Sequence, residues 1–195
     1  MTECGTITSL LGQVRTGDKE ASDRLFEHVY ADLKRMGSVL LAAKTYRAGA
    51  LGSTALVNAA CERLLGRDNL VAEDRRHFFF LLSRAMQDVL VEQARADLAA
   101  KRGGGFRRVP LDDFGVDTGS RDTSILDVRE ALEELRQHDP DAAEIVMLRF
   151  FAGRSLHEIG ELMDRTLAIV RRDWEYARAW LHERLSDPDR TRRNS

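Results

Sequence analysis

Residues 153–174 read GRSLHEIGELMDRTLAIVRRDW, and the spacing of their apolar side chains predicts two helices set against each other. Ser155 followed three residues later by Glu158 is a capping-box pattern, opening a short helix that ends near Met163. Thr166 can cap the second helix, which carries Ile169, Val170, Trp174, Ala177 and Leu181. A short helix, a turn of about three residues and a longer helix have helix-turn-helix proportions. Gly160 is the small residue that lets the pair cross closely, with Ile159, Leu162, Val170 and Trp174 as the seam. Asp164 stands in the turn where Gly is usual. That is a cost and not an exclusion, because Asp tolerates the left-handed conformation better than most residues. Arg165, Ala168, Arg171, Arg172 and Arg178 then lie on the outward face, with Thr166 at its start. Small and cationic residues there suit entry into a major groove, where arginine pairs with guanine edges or phosphates. Spacing alone fits a solvated face of a helical bundle equally well.

Upstream of this pair, Asp139-Pro140 opens a helix with Asp as N-cap and Pro at the first helical position. Ile145, Val146, Leu148 and Phe151 follow at core spacing, and Gly153 closes it. Leu126, Ala131, Leu132 and Leu135 mark the preceding helix. Between Gly103 and Thr123 the periodicity is lost: three consecutive glycines, Pro110 and several Gly, Asp and Ser replace it. A patternless stretch of roughly twenty residues reads as a linker between domains. Before it, a helix from about His77 to Lys101 carries Phe78, Leu81, Leu82, Ala85, Met86, Val89 and Leu90. Ser53 or Thr54 can cap a helix with Leu56, Val57, Ala60, Cys61, Leu64 and Leu65, and Gly66 stops it. Asp18 can cap another, after a first stripe of Ile7, Leu10, Leu11 and Val14 ended by Gly17. The expected fold is therefore all-α: two small helical domains, residues 1–102 and 124–195, joined by a flexible linker over 103–123.

The totals narrow the function. Of the 195 residues, 43% are hydrophobic and 32% charged, enough apolar surface for a packed core. A net charge of −2 counts against nucleic-acid binding by bulk positive charge, so any DNA contact needs locally concentrated cations or help from another subunit. Cys4 and Cys61 make no disulfide framework, which fits a reducing compartment. No apolar run approaches 18 residues, and Met1 to Gly5 lack a signal peptide's basic-then-apolar layout. The expectation is a cytoplasmic protein without membrane insertion. The five His are scattered, His157 and Glu158 are adjacent rather than on one face, and no His/Cys pairing has ligand spacing. No metal, cofactor or catalytic residue is expected, and the Gly triplet lacks the strand-before, helix-after context of a phosphate loop. The protein reads as a non-enzyme.

GRSLHEIGELM at 153–163, VRRDW at 170–174 and ARAWL at 177–181 resemble the promoter-binding region of extracytoplasmic-function (ECF) RNA polymerase sigma factors. The likeness is to a subgroup whose recognition helix reads V-K-R-D-W and then A-R-A-W-L. Thr54-Ala-Leu-Val57, Arg63-Leu64, His77-Phe78-Phe79, Ala85-Met86 and the run from Ala99 to Gly105 resemble that subgroup's region 2 in order and spacing. The resemblance covers roughly residues 6 to 185. It implies a first domain that docks on the clamp of the polymerase core and melts the −10 element. It implies a second that reads the −35 element with the helix from Thr166, beside the core's flap. The linker would thread toward the active-site channel, and the core would supply most phosphate contacts.

Within that frame the candidate DNA contacts are Arg165, Thr166, Ala168, Arg171, Arg172 and Arg178 in the second domain. In the first they are Arg75, Arg76, Phe79, Arg84, Arg95, Lys101 and Arg102, since promoter opening needs flat side chains for stacking and cations for the strand. Three consecutive phenylalanines, 78 to 80, cannot all face one core, so at least one should be partly exposed. Each is also explicable as packing. Gln87, Asp88 and Asp97 fall where relatives tend to be basic, and Ile169 where the subgroup often has Thr. Core-polymerase contact falls to Asn58, Glu62 and Arg63. The acidic residues usual before them are absent, and Ser53 and Thr54 offer hydroxyls for a Ser/Thr kinase instead. An anti-sigma protein is the other implied partner. The competing readings are a helix-turn-helix regulator acting alone and a sigma-like decoy that binds an anti-sigma protein without initiating transcription.

Overall fold

A computed structural model describes residues 3–42, 52–65, 72–100 and 123–186. Within them the elements are all α-helices: α1 (Glu3–Arg15), α2 (Lys19–Ala42), α3 (Ser53–Leu65), α4 (Arg75–Ala100), α5 (Ile125–His138), α6 (Pro140–Phe150), α7 (Leu156–Met163) and α8 (Leu167–Ser186). The start and stop signals are local and mostly where the sequence puts them. The Asp18 carboxylate accepts from the Ala21 amide at 3.1 Å, and Asp139 accepts from Ala142 at 2.8 Å. Gly17 and Gly153 both take positive φ after α1 and α6. Two starts were not read from the sequence. Asp74 accepts from the His77 amide at 2.8 Å and opens α4 two residues ahead of His77. Ser124 and Asp127 form a reciprocal capping box at the head of α5. The cap expected of Ser53 or Thr54 moves back one residue: the Gly52 carbonyl accepts from Leu56 at 2.9 Å, so both hydroxyl residues are already helical.

Helices α1 to α4 pack consecutively, with α1 also meeting α4, and α5, α6, α7 and α8 form a second packed group. In the first, Leu11, Leu25, Leu33, Leu56, Phe78 and Leu82 are fully buried; in the second, Leu135, Ile145, Phe150, Phe151, Val170 and Leu181 are. Burying side chains of this size stabilises each group by about 1.5–3 kcal/mol per residue before entropy is counted. Helix α4 also packs against α5, α6 and α7, so one continuous apolar cluster runs through both groups. Except for Thr123, the stretch expected as a linker lies outside the described residues.

The α7–α8 unit has two unusual backbone positions. Asp164 ends α7 at φ 53° and ψ 46°, so it takes the left-handed conformation that Gly usually supplies in such a turn. A Cβ on Gly160 would sit 2.8 Å from the Arg165 carbonyl oxygen, a backbone atom that cannot swing aside. Gly160 is therefore what allows the turn to fold back onto α7, where the Arg165 amide donates to the Gly160 carbonyl at 2.9 Å.

Candidate nucleic-acid interface

The α7–α8 pair is built from both ends. The Ser155 amide donates to the Glu158 carboxylate at 2.7 Å while the Glu158 amide donates to Ser155 Oγ at 3.2 Å. Ile159, Met163, Val170 and Trp174 are buried along the crossing, and Leu162 is half-buried. Thr166 Oγ1 accepts from the Ile169 amide at 3.4 Å, a long capping bond at the head of α8. Burial of Val170, Trp174, Ala177 and Leu181 turns the opposite face of α8 outward, and Thr166, Ala168, Ile169, Arg171 and Arg172 are exposed on it.

Asp173 organises the cations around it. It is largely covered, with 14% of its side chain exposed, and accepts from Arg172 at 2.8 and 3.0 Å and from Arg165 at 3.2 Å. The two residues of the Asp-Trp pair thus divide their work: Trp174 anchors α8 in the core while Asp173 braces arginines on either side. Arg172 still projects, at 75% exposure, and Arg171 makes no ion pair among the described residues. Arg165 differs from the expectation of an outward-facing contact. It sits half-buried in the turn, because Asp141 of α6 takes its other guanidinium edge. Arg178 is half-buried and held by Glu175 at 3.1 Å.

On α4 the candidates separate. Arg84 and Arg95 are exposed. Arg76 makes a bidentate pair with Glu144 of α6, both bonds 2.7 Å, and lies 3.6 Å from Asp141. That pairing raises the Arg76 pKa further above its ordinary value. Arg75 lies over the Phe79 ring with its guanidinium carbon 5.7 Å from the centroid. Phe79, expected to stack on a base, is corrected to a core side chain: it is 1% exposed, because Phe78 meets one side of the ring and Arg154, from the α6–α7 turn, covers it at 4.8 Å. The partly exposed member of the phenylalanine run is Phe80. Lys101 and Arg102 lie outside the described residues.

At α3, Asn58 and Glu62 are exposed, and Arg63 is braced by Glu92 of α4 at 2.6 Å. The first turn carries no carboxylate. Ser53 is half-buried against α2, where a Cβ on Gly37 would come within 3.0 Å of the Ser53 carbonyl, whereas Thr54 is exposed. Sequence reasoning missed Asp141, Glu144 and Arg154, the residues that meet the α4 candidates. Nothing in local spacing marks them, since their partners lie more than sixty positions away.

Among the described residues no helix is long and apolar enough to cross a membrane, and no cluster of metal-ligating side chains occurs. A family model described as ECF sigma factor matches residues 4–187. A search of curated proteins finds no match.

Proposed function

The chain belongs to the ECF sigma factor family, and from that premise we propose that α8 reads the −35 element while α4 and α3 serve the −10 element and the polymerase core. Membership makes it a non-enzymatic initiation factor that binds RNA polymerase core and promoter DNA and directs transcription initiation. The observation that carries the finer reading is the exposed Arg171–Arg172 pair one turn into a capped helix whose other face is locked by Trp174. A rigid helix with cations near its N-terminus presents them to base edges without an added ordering cost. Residues 1–102 and 124–195 then act as the two promoter-reading units, divided at 103–123 where the sequence loses its periodicity.

Replacing Arg171 and Arg172 with Ala removes contacts worth on the order of 1–3 kcal/mol each if they pair with bases. Transcription from the native promoter by reconstituted holoenzyme should fall at least tenfold, with association to core unchanged because Asn58, Glu62 and Arg63 are untouched. Full activity of the double variant would overturn the assignment of α8.

Control by phosphorylation belongs to the same reading. Thr54 is exposed in the first turn of α3, which lacks carboxylates. A phosphate there adds about −1.5 to −2 charge at a helix N-terminus, where the dipole favours it, and supplies an anion for basic residues of the clamp. Thr54 is preferred to Ser53 because Ser53 is packed against α2. Kinase-treated protein should bind core more tightly than untreated protein, and Thr54→Ala should abolish the difference. Tight binding by untreated protein with no change on treatment would remove the switch.

A further inference from the structure

Arg165 and Arg172 converge on one carboxylate near the head of α8. Asp173 Oδ1 accepts from Arg172 Nε at 3.0 Å and from Arg172 Nη2 at 2.8 Å, and Oδ2 accepts from Arg165 Nη1 at 3.2 Å. Arg165 is fixed in turn by Asp141 of α6. The Asp173 side chain is 14% exposed and that of Arg172 75%, so one end of the pair is seated while the other faces solvent. Asp173 does not stand where a carboxylate serves the helix itself. Asp is a weak helix former, and α8 begins at Leu167, so Asp173 lies beyond the first turn, in which the dipole favours negative charge. On a helix that meets phosphates, an acidic side chain also repels the ligand. What explains its place is the arginine it holds. A guanidinium has five N–H donors in a rigid fork. Asp173 takes the edge formed by Nε and Nη2, which leaves the end-on edge of Nη1 and Nη2 for another acceptor. That edge matches O6 and N7 of guanine, the commonest specific arginine contact in the major groove. Arg171, exposed beside it, makes no ion pair among the described residues and keeps its rotamer freedom.

We infer that Asp173 is the specificity-determining positioning residue of α8: it holds Arg172 with its end-on edge presented to a guanine of the −35 element, and Arg165, anchored on α6, holds Asp173. This rests on reading α8 as the −35 helix. An unbraced arginine must be ordered when it binds, which weakens a contact by about two- to tenfold. Asp173 removes that cost for one side-chain geometry only. It therefore favours guanine over the other bases at one position while adding nothing to phosphate attraction, and the two effects have opposite signs when the carboxylate is removed. Discrimination falls, whereas binding to DNA of unrelated sequence does not.

The test uses holoenzyme reconstituted from the full chain and core, with the native promoter fragment randomised over its −35 segment as the probe. Sequencing the bound and unbound fractions reads base preference at each position. Wild type should enrich guanine at one position, which Arg172→Ala identifies by reducing that enrichment about fivefold or more. Asp173→Asn should reduce it about two- to tenfold at the same position and no other. Its retention of a duplex without promoter sequence should not fall, since a charge that repels phosphates has gone. Glu183→Gln makes the same charge change on an exposed residue near the far end of α8 and should leave the preference intact. Adding Asp173→Asn to Arg172→Ala should cost nothing more, because the brace has no side chain left to hold. The inference is overturned by an Asp173→Asn or Arg172→Ala variant that keeps the wild-type preference, by a further loss in the double variant, or by a Glu183→Gln variant that loses as much. An even loss at every position overturns it too, since that marks a merely structural role. If Asp173→Asn does not fold by far-UV circular dichroism, Arg172→Lys decides: Lys keeps the charge without the fork, so a guanine preference that survives it overturns the inference. Wild-type holoenzyme with no preference anywhere in the −35 segment refutes the reading of α8 itself.

Discussion

Substituting Ala for Gly has opposite consequences at two helical positions, and the difference measures how tightly the α7–α8 turn is closed. At Gly12 of α1 nothing lies within 4 Å of the added Cβ, so Gly12→Ala gains only the helical preference of Ala, about 0.5–1 kcal/mol. At Gly160 the same gain is opposed by a Cβ 2.8 Å from the Arg165 carbonyl oxygen, with Val170 Cγ2 behind it at 3.8 Å. Forcing α8 away from α7 costs about 1–3 kcal/mol in a packed seam. Taking central values of both ranges, Gly160→Ala is destabilising by about 1 kcal/mol, and the two variants differ by about 2 kcal/mol. For a chain of this length that separates their midpoints by about 4–8 °C. Urea and thermal unfolding followed by far-UV circular dichroism reads the total. Tryptophan fluorescence reads α8 alone, since both tryptophans, Trp174 and Trp180, lie on that helix. Gly160→Ala should also weaken promoter-specific transcription, because the turn that holds Arg165 must shift. If Gly160→Ala proves as stabilising as Gly12→Ala, the close approach of the two helices is wrong.

Asp139→Ala deletes the 2.8 Å cap at Ala142 and should cost about 0.5–2 kcal/mol, seen as a lower urea midpoint; an unchanged midpoint would show that the cap does not hold α6. Burial, with the Glu62 carboxylate adding to it, pushes the Cys61 thiol up to about 11. Its thiolate share near pH 8 should then be about a hundredfold below that of an ordinary cysteine. In a Cys4→Ser background the remaining thiol should react slowly with a disulfide reagent until the chain is unfolded in urea, and rapid reaction in the native state would contradict its burial.

The sequence alone determines the helices and the recognition unit, because the information is local. Capping pairs lie three residues apart, apolar stripes repeat within one helix, and Gly153 and Gly160 are punctuation visible in place. Ser155 with Glu158 and Asp139 with Ala142 could be read without knowing what lay nearby in space. So could the all-helical class and the outward placement of Arg171 and Arg172, which follows once Val170 and Trp174 face inward. The two unread starts, Asp74 and Ser124, were also local signals, obscured because each follows a stretch without periodicity. Tertiary structure decides which of the cations remain free and whether a flat ring is exposed. Arg76 and Arg84 sit on the same helix eight positions apart, yet only Arg76 meets the carboxylate of Glu144, 68 residues away along the chain. Phe78, Phe79 and Phe80 are identical in sequence terms, yet Phe79 is buried, with Arg154 from the α6–α7 turn over its ring, while Phe80 stays partly exposed. Such pairings depend on how α4 docks against α5, α6 and α7, and no periodicity within a helix encodes the side chain that another helix brings to it.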